Sequence, residues 1–188
     1  IGEYGLHLLD KAPFILGDLA FVGNVGWYDG SLWMSHKGVS ADYKNDREEI
    51  RQKAQRYFHE TEFKDKLPQG LTSELFYEHC KDRLKMHLDE IHSHADVKGV
   101  VLGIHFVPAR SFVKADNAKY AYLNWYMGSE AHSNHYKRYK VVLGFTGHTH
   151  RSDVRTVGEI DVYNISGPNQ PRVFDLKHTG NGYEITKI

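Results

Sequence analysis

The sequence predicts a mixed α/β fold built around a parallel sheet that is buried on both faces. Two segments, 98–105 and 140–150, each contain a continuous Val/Leu/Ile run of strand length that leads to histidine. An apolar run without polar alternation is typical of a strand covered on both faces. A helical pattern over 72–91 supplies a covering layer, because its apolar residues recur at helical spacing.

The chain begins with a predicted β-hairpin. Two apolar runs within 12–23 turn at Gly17-Asp18, a pair that favours a tight turn between strands. The residues after the second strand are mostly aromatic: Trp27, Tyr28, Asp29 and Trp33. Two interpretations stay open for them. They are either plugs that close the sheet edge, or a wall of a substrate pocket in which Asp29 reaches the substrate or a ligand histidine.

A charged, helix-prone stretch follows at 42–66, with acidic residues early and basic residues late. A mixed-charge pattern of this kind is typical of a solvated helix face. The alternative is a helical cap over about 30–70 that lies beside the functional edge and sorts substrates. In that case Arg47, Arg51 or Arg56 would contact a phosphate group.

The helix over 72–91 is the clearest one in the chain. Thr72 is a suitable N-cap, and Cys80 is interpreted as a small core residue rather than a nucleophile. The predicted apolar stripe consists of Leu71, Leu75, Cys80, Leu84, Leu88 and Ile91. The polar run 92–96 closes the carboxyl end of the helix.

A second, shorter helix is expected from Ser129, its N-cap, to about Tyr139, with His132 and His135 on its surface. Beyond it and the strand from Lys140, the chain alternates short apolar segments with Gly-rich turns. Strands are predicted at 154–157, 160–166, 172–176 and 183–188. We expect them to form an antiparallel meander that completes a second sheet.

The amino-acid composition restricts the classes of function that this chain can have. The 188 residues fit a single domain, 1–188, and the 24 basic residues balance the 24 acidic ones. This balance argues against a general nucleic-acid or membrane-surface binder. The single cysteine rules out an internal disulfide, and a cytoplasmic location is the default expectation. No stretch approaches the roughly 20 apolar residues of a membrane-spanning helix.

Three histidines follow the two predicted parallel strands. His105 ends the first strand, and His148 and His150 follow the second on a loop that starts with Gly147. The carboxyl ends of parallel strands meet at one sheet edge, and neutral imidazole is the commonest protein ligand for transition metals. The pattern therefore predicts a metal site at this edge.

Gly147-His148-Thr149-His150 after an apolar strand, preceded by 101–108 with His105, resembles the last two metal motifs of the calcineurin-like metallophosphoesterases. The resemblance extends more loosely over 1–175. It implies an αββα four-layer sandwich, α/β in class, and a dinuclear metal centre. His105 and His148 would bind one divalent ion and His150 the other, the ions being Mn, Fe, Zn or Co.

The earlier motifs of that family are absent from this sequence. They are an Asp-x-His, a bridging Asp and an Asn-His, and in 23–26 Val25 stands where this last His would be. Since the chain starts at Ile1, we expect it to be the carboxyl-terminal portion of a longer enzyme, incomplete at its amino terminus. The resemblance then implies that the preceding segment carries the carboxylate ligands and the catalytic residues.

The resemblance implies hydrolysis of a phosphate ester by a metal-activated water, with a small-molecule substrate and neither nucleic acid nor membrane as partner. Asp29, Arg110 and Asn117 are the substrate-binding candidates. Two alternatives stay open. One is a non-catalytic scaffold or interaction module that keeps the fold. The other is a hydrolase with one zinc ion bound by His105 and the histidine pair.

Overall fold

A six-stranded sheet is the centre of the computed structural model, which describes residues 6–33, 70–114, 123–167, 174–179 and 182–187. Its strands are β1 (Phe14–Leu16), β2 (Leu19–Asn24), β3 (Gly99–Ile104), β4 (Val141–Thr146), β5 (Ser152–Val157) and β6 (Ile160–Ile165). Their spatial order is β1-β2-β3-β4-β6-β5. Strands β2, β3, β4 and β6 run parallel, whereas β1 and β5 pair antiparallel at the edges. The predicted parallel pairing of the two histidine-bearing strands is confirmed.

Helices cover one face of this sheet. They are α1 (Ser73–Ser93) and α2 (Ser133–Arg138), with short 3-10 helices at Arg110–Phe112, Asn124–Tyr126 and Glu130–His132. Alternate residues of the parallel strands point toward the helices and share one core with them. This core includes Ala20, Val22, Leu84, Leu88, Ile91, Val100, Leu102, Ile104, Tyr136 and Val162.

A separate hairpin of β7 (Phe174–Thr179) and β8 (Gly182–Lys187) packs on the opposite face. The Phe174 ring lies 5.0 Å from that of Phe145 and 4.7 Å from that of Tyr163, centroid to centroid. The Tyr183 ring lies against Gly99, where an added Cβ would meet it at 2.6 Å. The described residues therefore form a helix layer, a six-stranded sheet and a hairpin layer.

The prediction that all strands after His150 complete a second sheet is wrong for the first two. β5 and β6 do form the expected hairpin, but β6 joins the first sheet beside β4. Gly144 makes this pairing close, because a Cβ there would lie 2.7 Å from Val162 Cγ2. Val162 is consequently fully buried against β4.

Helix α1 follows its sequence pattern with two exceptions, Leu71, which precedes the helix and is only partly buried, and Leu75. Thr72 is the N-cap, as predicted, and its side chain accepts a hydrogen bond from the Leu75 amide at 3.2 Å. Leu75 itself is 55% exposed, so its place in the predicted stripe is wrong. The buried face is Ser73, Tyr77, Cys80, Leu84, His87, Leu88 and Ile91. Among the described residues, no helix has both the length and the apolar character to span a membrane.

The second helical segment starts where the sequence indicated, but its histidines do not lie on the surface. The Ser129 hydroxyl caps the segment by accepting from the Ala131 amide at 3.1 Å. His132 is fully buried and His135 is partly buried. The segment folds inward, so that the His132 ring lies 6.1 Å from the Tyr77 ring of α1.

Candidate functional site

Two of the three predicted ligand histidines lie together at the carboxyl edge of the sheet. Ile104 and Thr146 are register partners at the ends of β3 and β4, and the next residues of both strands continue side by side. The Gly147 amide donates to the His105 carbonyl at 2.9 Å. The His105 and His148 rings are 5.3 Å apart, centroid to centroid, and nearly perpendicular at 77°.

The loop 147–150, called the histidine loop below, has an unusual backbone. His148 has φ 64° and His150 has φ 55°, the two positive values among the non-glycine residues that the structure describes. The Thr149 amide also donates to the Gly147 carbonyl at 2.7 Å, which closes a three-residue turn with His148 at its centre. Left-handed backbone in residues with a Cβ costs about 1–3 kcal/mol each, and such outliers cluster at functional sites.

Gly147 contributes to this loop by close approach rather than by its own left-handed backbone. A Cβ at this position would lie 3.0 Å from His105 Nδ1. Its absence lets the chain pass directly over the His105 ring. The left-handed backbone of this loop is at the two histidines that follow Gly147.

Electrostatics favour neutral imidazoles here. Burial lowers the pKa of His148 to about 4, with a further lowering by His105 that outweighs a hydrogen bond to the Tyr126 backbone. Partial desolvation, and then His150, lower the pKa of His105. Neutral rings have a free lone pair, which is the form that binds a metal ion.

An aromatic cluster supports the His148 ring from one side. Phe106 lies 4.2 Å from it, centroid to centroid, at an interplanar angle of 34°. Trp27 lies 5.0 Å and Tyr28 5.9 Å from Phe106. Trp27 and Tyr28 are themselves buried, which supports the interpretation that they plug the sheet edge.

Asp29 and Arg110, two of the substrate-binding candidates, meet at Ser31. Asp29 Oδ1 accepts from the Ser31 amide at 2.9 Å and from its hydroxyl at 2.6 Å. Arg110 donates from Nη2 to the Ser31 carbonyl at 2.7 Å and from Nε to Glu130 Oε1 at 2.8 Å. Both side chains are exposed, and each already has partners that connect neighbouring loops.

The remaining candidates contribute less. Asn117 and most of the cap predicted at about 30–70, including its arginines, lie outside the described residues. Asn24 ends β2 beside His105, but its Oδ1 accepts from the Gly26 amide at 2.7 Å. Within the described ranges, no group of three or more His, Cys, Asp or Glu side chains is arranged to hold a metal ion.

Sequence reasoning missed Asn164, the next-to-last residue of β6, which lies beside the histidine loop. It is fully buried, and its Nδ2 donates to the Thr149 hydroxyl at 2.6 Å. The signal was present in the sequence, since Asn164 is a polar residue in an otherwise strand-like run. The pattern of β5 and β6 predicts a different sheet for them, and this prediction places Asn164 away from the histidines.

Comparison with known proteins gives one informative likeness. No family model and no curated protein matches the sequence. Among solved structures, the chain is similar to the phosphopantetheinyl hydrolase PptH from Mycobacterium tuberculosis, with a TM-score of 0.54 and 14% sequence identity. The match covers 83% of this chain and 53% of that one, so the chain spans about half the length of its neighbour. This likeness indicates a related fold.

Proposed function

We propose that this chain is part of a hydrolase, specifically a metal-dependent phosphoesterase with a two-metal centre at the carboxyl edge of the sheet. The observation that carries the proposal is the convergence of His105 and His148, whose rings lie 5.3 Å apart after adjacent parallel strands. The likeness in fold to a phosphopantetheinyl hydrolase supports the same class of chemistry. A complete domain of this kind would be an αββα four-layer sandwich.

The donor chemistry of the described residues fits part of such a centre. Burial lowers the pKa of His105 and His148, which favours their neutral form, and His150 follows His148 by two residues on the same loop. Two divalent ions would need carboxylate ligands in addition, and we expect these outside the described residues. When bound, such ions supply Lewis-acid activation of water and stabilise charge on a phosphate.

The chain's own residues would orient the ligands. The Phe106 ring, 4.2 Å from the His148 ring, and a hydrogen bond to the Tyr126 backbone would both restrain the orientation of His148. A ligand histidine commonly uses one ring nitrogen for the metal and the other for a backbone or carboxylate acceptor. The contact with Tyr126 therefore suits His148 to metal binding, and Mn, Fe, Zn and Co all accept this ligand type.

The proposed substrate is a small phosphate ester. The chain has no net charge and hence no general electrostatic attraction for nucleic acid. Arg110 and Asp29 are proposed to contact the substrate at the loop that joins them through Ser31. To do so, Arg110 would exchange its bond to Glu130 for one to phosphate, a comparable charge-assisted pair.

Metal content and hydrolysis, measured on the same preparations, test this proposal. Purified protein that includes the segments expected to carry the carboxylate ligands is loaded with Mn²⁺ or Zn²⁺, its metal content is measured by mass spectrometry, and hydrolysis of p-nitrophenyl phosphate and bis(p-nitrophenyl) phosphate is followed. We expect two ions per chain and metal-dependent hydrolysis. Both should be lost in a His148→Ala/His150→Ala variant.

His79→Ala is the matched control, because His79 is exposed on α1 and should leave metal content and hydrolysis unchanged. One ion per chain would overturn the two-metal centre and favour a single-zinc hydrolase. A folded protein that binds no metal would overturn the enzyme and favour the non-catalytic scaffold.

A further inference from the structure

The buried side-chain amide of Asn164 connects the sheet to the histidine loop. Asn164 is the register partner of Thr146, the last residue of β4 before the loop begins. It is fully buried, and Val162, two residues earlier and therefore on the same face of β6, belongs to the core shared with the helices. The pairing of β6 with β4 therefore fixes the backbone position from which the Asn164 side chain extends.

Both ends of the Asn164 amide are committed. Its Oδ1 accepts from the Ser166 amide at 3.1 Å and from the Ser166 hydroxyl at 2.7 Å. Because a backbone amide can only donate, these contacts place the oxygen toward Ser166 and the nitrogen toward the loop. Nδ2 then donates to Thr149 Oγ1 at 2.6 Å.

Thr149 is the residue between the two histidines with left-handed backbone. A hydrogen bond to its side chain therefore restrains the part of the loop where the conformation departs most from ordinary preference. The other end of the loop is restrained by the bond from the Gly147 amide to the His105 carbonyl. Strained backbone of this kind persists only where the surroundings fix it from several sides.

We propose that Asn164 is a positioning residue that holds the histidine loop in its left-handed conformation through the Thr149 hydroxyl, and so places His148 and His150 as ligands for the proposed metal centre. This inference rests on the proposed function, and Asn164 itself touches neither substrate nor metal. Partners that orient metal ligands typically change metal affinity 10–100-fold when they are removed.

The test compares Thr149→Val, which removes the hydroxyl at nearly constant volume, with Thr149→Ser, which keeps it. Asn164→Ala removes the partner. Binding of Co²⁺, followed by visible absorption, should weaken at least tenfold in Thr149→Val and Asn164→Ala but stay within about twofold in Thr149→Ser. The two weakening substitutions should be non-additive when combined, because each breaks the same bond.

Thr156→Val is the matched control. Its hydroxyl donates to Asp161 on the exposed β5–β6 hairpin, away from the loop, so Co²⁺ affinity should not change. A purely structural role for Asn164 would lower thermal stability and leave the affinity unchanged. That result would overturn the inference.

A second readout does not depend on metal. In metal-free protein labelled with ¹³C-histidine, the Cα chemical shifts of His148 and His150 report their left-handed backbone. They should move toward ordinary values in Thr149→Val and Asn164→Ala but not in Thr149→Ser. If the wild-type chain binds no metal, the proposed function fails while this readout still tests positioning. Unchanged shifts in both variants would overturn the positioning role.

Discussion

Lowering the pH should destabilise this protein through His132, a fully buried imidazole. Burial is the main cause that lowers its pKa from 6.5 to about 4, and His135 adds to the effect. Asp29 and the Trp27 backbone oppose the shift and Lys81 reinforces it, all by smaller amounts. Neither ring nitrogen of His132 makes a well-formed hydrogen bond that would stabilise the imidazolium.

The sign of the pH effect follows from these pKa values. As the pH falls below 6.5, the unfolded chain takes up a proton at this position and the folded protein does not until about pH 4. The contribution of His132 to stability is therefore complete above pH 6.5 and is lost progressively down to about pH 4. At about 1.4 kcal/mol for each pKa unit, the loss amounts to about 2.5 kcal/mol at pH 4.5.

Urea unfolding at pH 7 and pH 4.5, followed by tryptophan fluorescence, measures this loss. His132→Leu, of similar volume, should reduce the fall in the free energy of unfolding between the two pH values by about 2.5 kcal/mol. Exposed His79 provides the control, since His79→Gln should retain the wild-type pH dependence. An equal fall in His132→Leu and wild type would refute the reasoning.

Two substitutions and one thiol-labelling reaction test the packing. Gly128→Ala should destabilise the fold by about 3 kcal/mol or more in urea unfolding, because its Cβ would lie 2.0 Å from the Val107 carbonyl oxygen. Trp27→Phe should cost about 2 kcal/mol in the same assay, since it removes the buried 2.8 Å bond from Nε1 to the Ser73 hydroxyl and leaves a cavity. Burial raises the Cys80 pKa to about 12, so Ellman's reagent at pH 8 should label this thiol rapidly only after unfolding.

The position of the histidines could be predicted because it depends on strand ends alone. Val/Leu/Ile runs mark buried parallel strands, and parallel strands bring their carboxyl ends to one edge. His105 and His148 are close for that reason and need no further information. The same logic applied to β6 would have placed Asn164 at this edge.

The order of the strands could not be predicted in the same way. β5 and β6 have the turn and spacing of an antiparallel hairpin, and this pattern is identical whether the hairpin joins one sheet or the other. The sheet that the hairpin joins is determined by the fit of Val162 into the space left by Gly144. This is a contact between strands that are distant in sequence. The burial of His132 could not be predicted either. Polar residues on short helices are usually exposed, and this one is buried by contacts with segments distant in sequence.

Departures from local preference concentrate at one edge of this fold. Asn24 and Thr146 end their strands and Asn164 is the next-to-last residue of β6. All three are buried polar residues, and they share one row of register partners with Ile104. Each donates to or accepts from the loop that follows or lies beside it. An apolar row would pack equally well against the helices and would leave these loops unrestrained. The polar row costs desolvation, and in return it fixes the loops that carry His105, His148 and His150, which is the arrangement expected where a sheet edge binds a ligand.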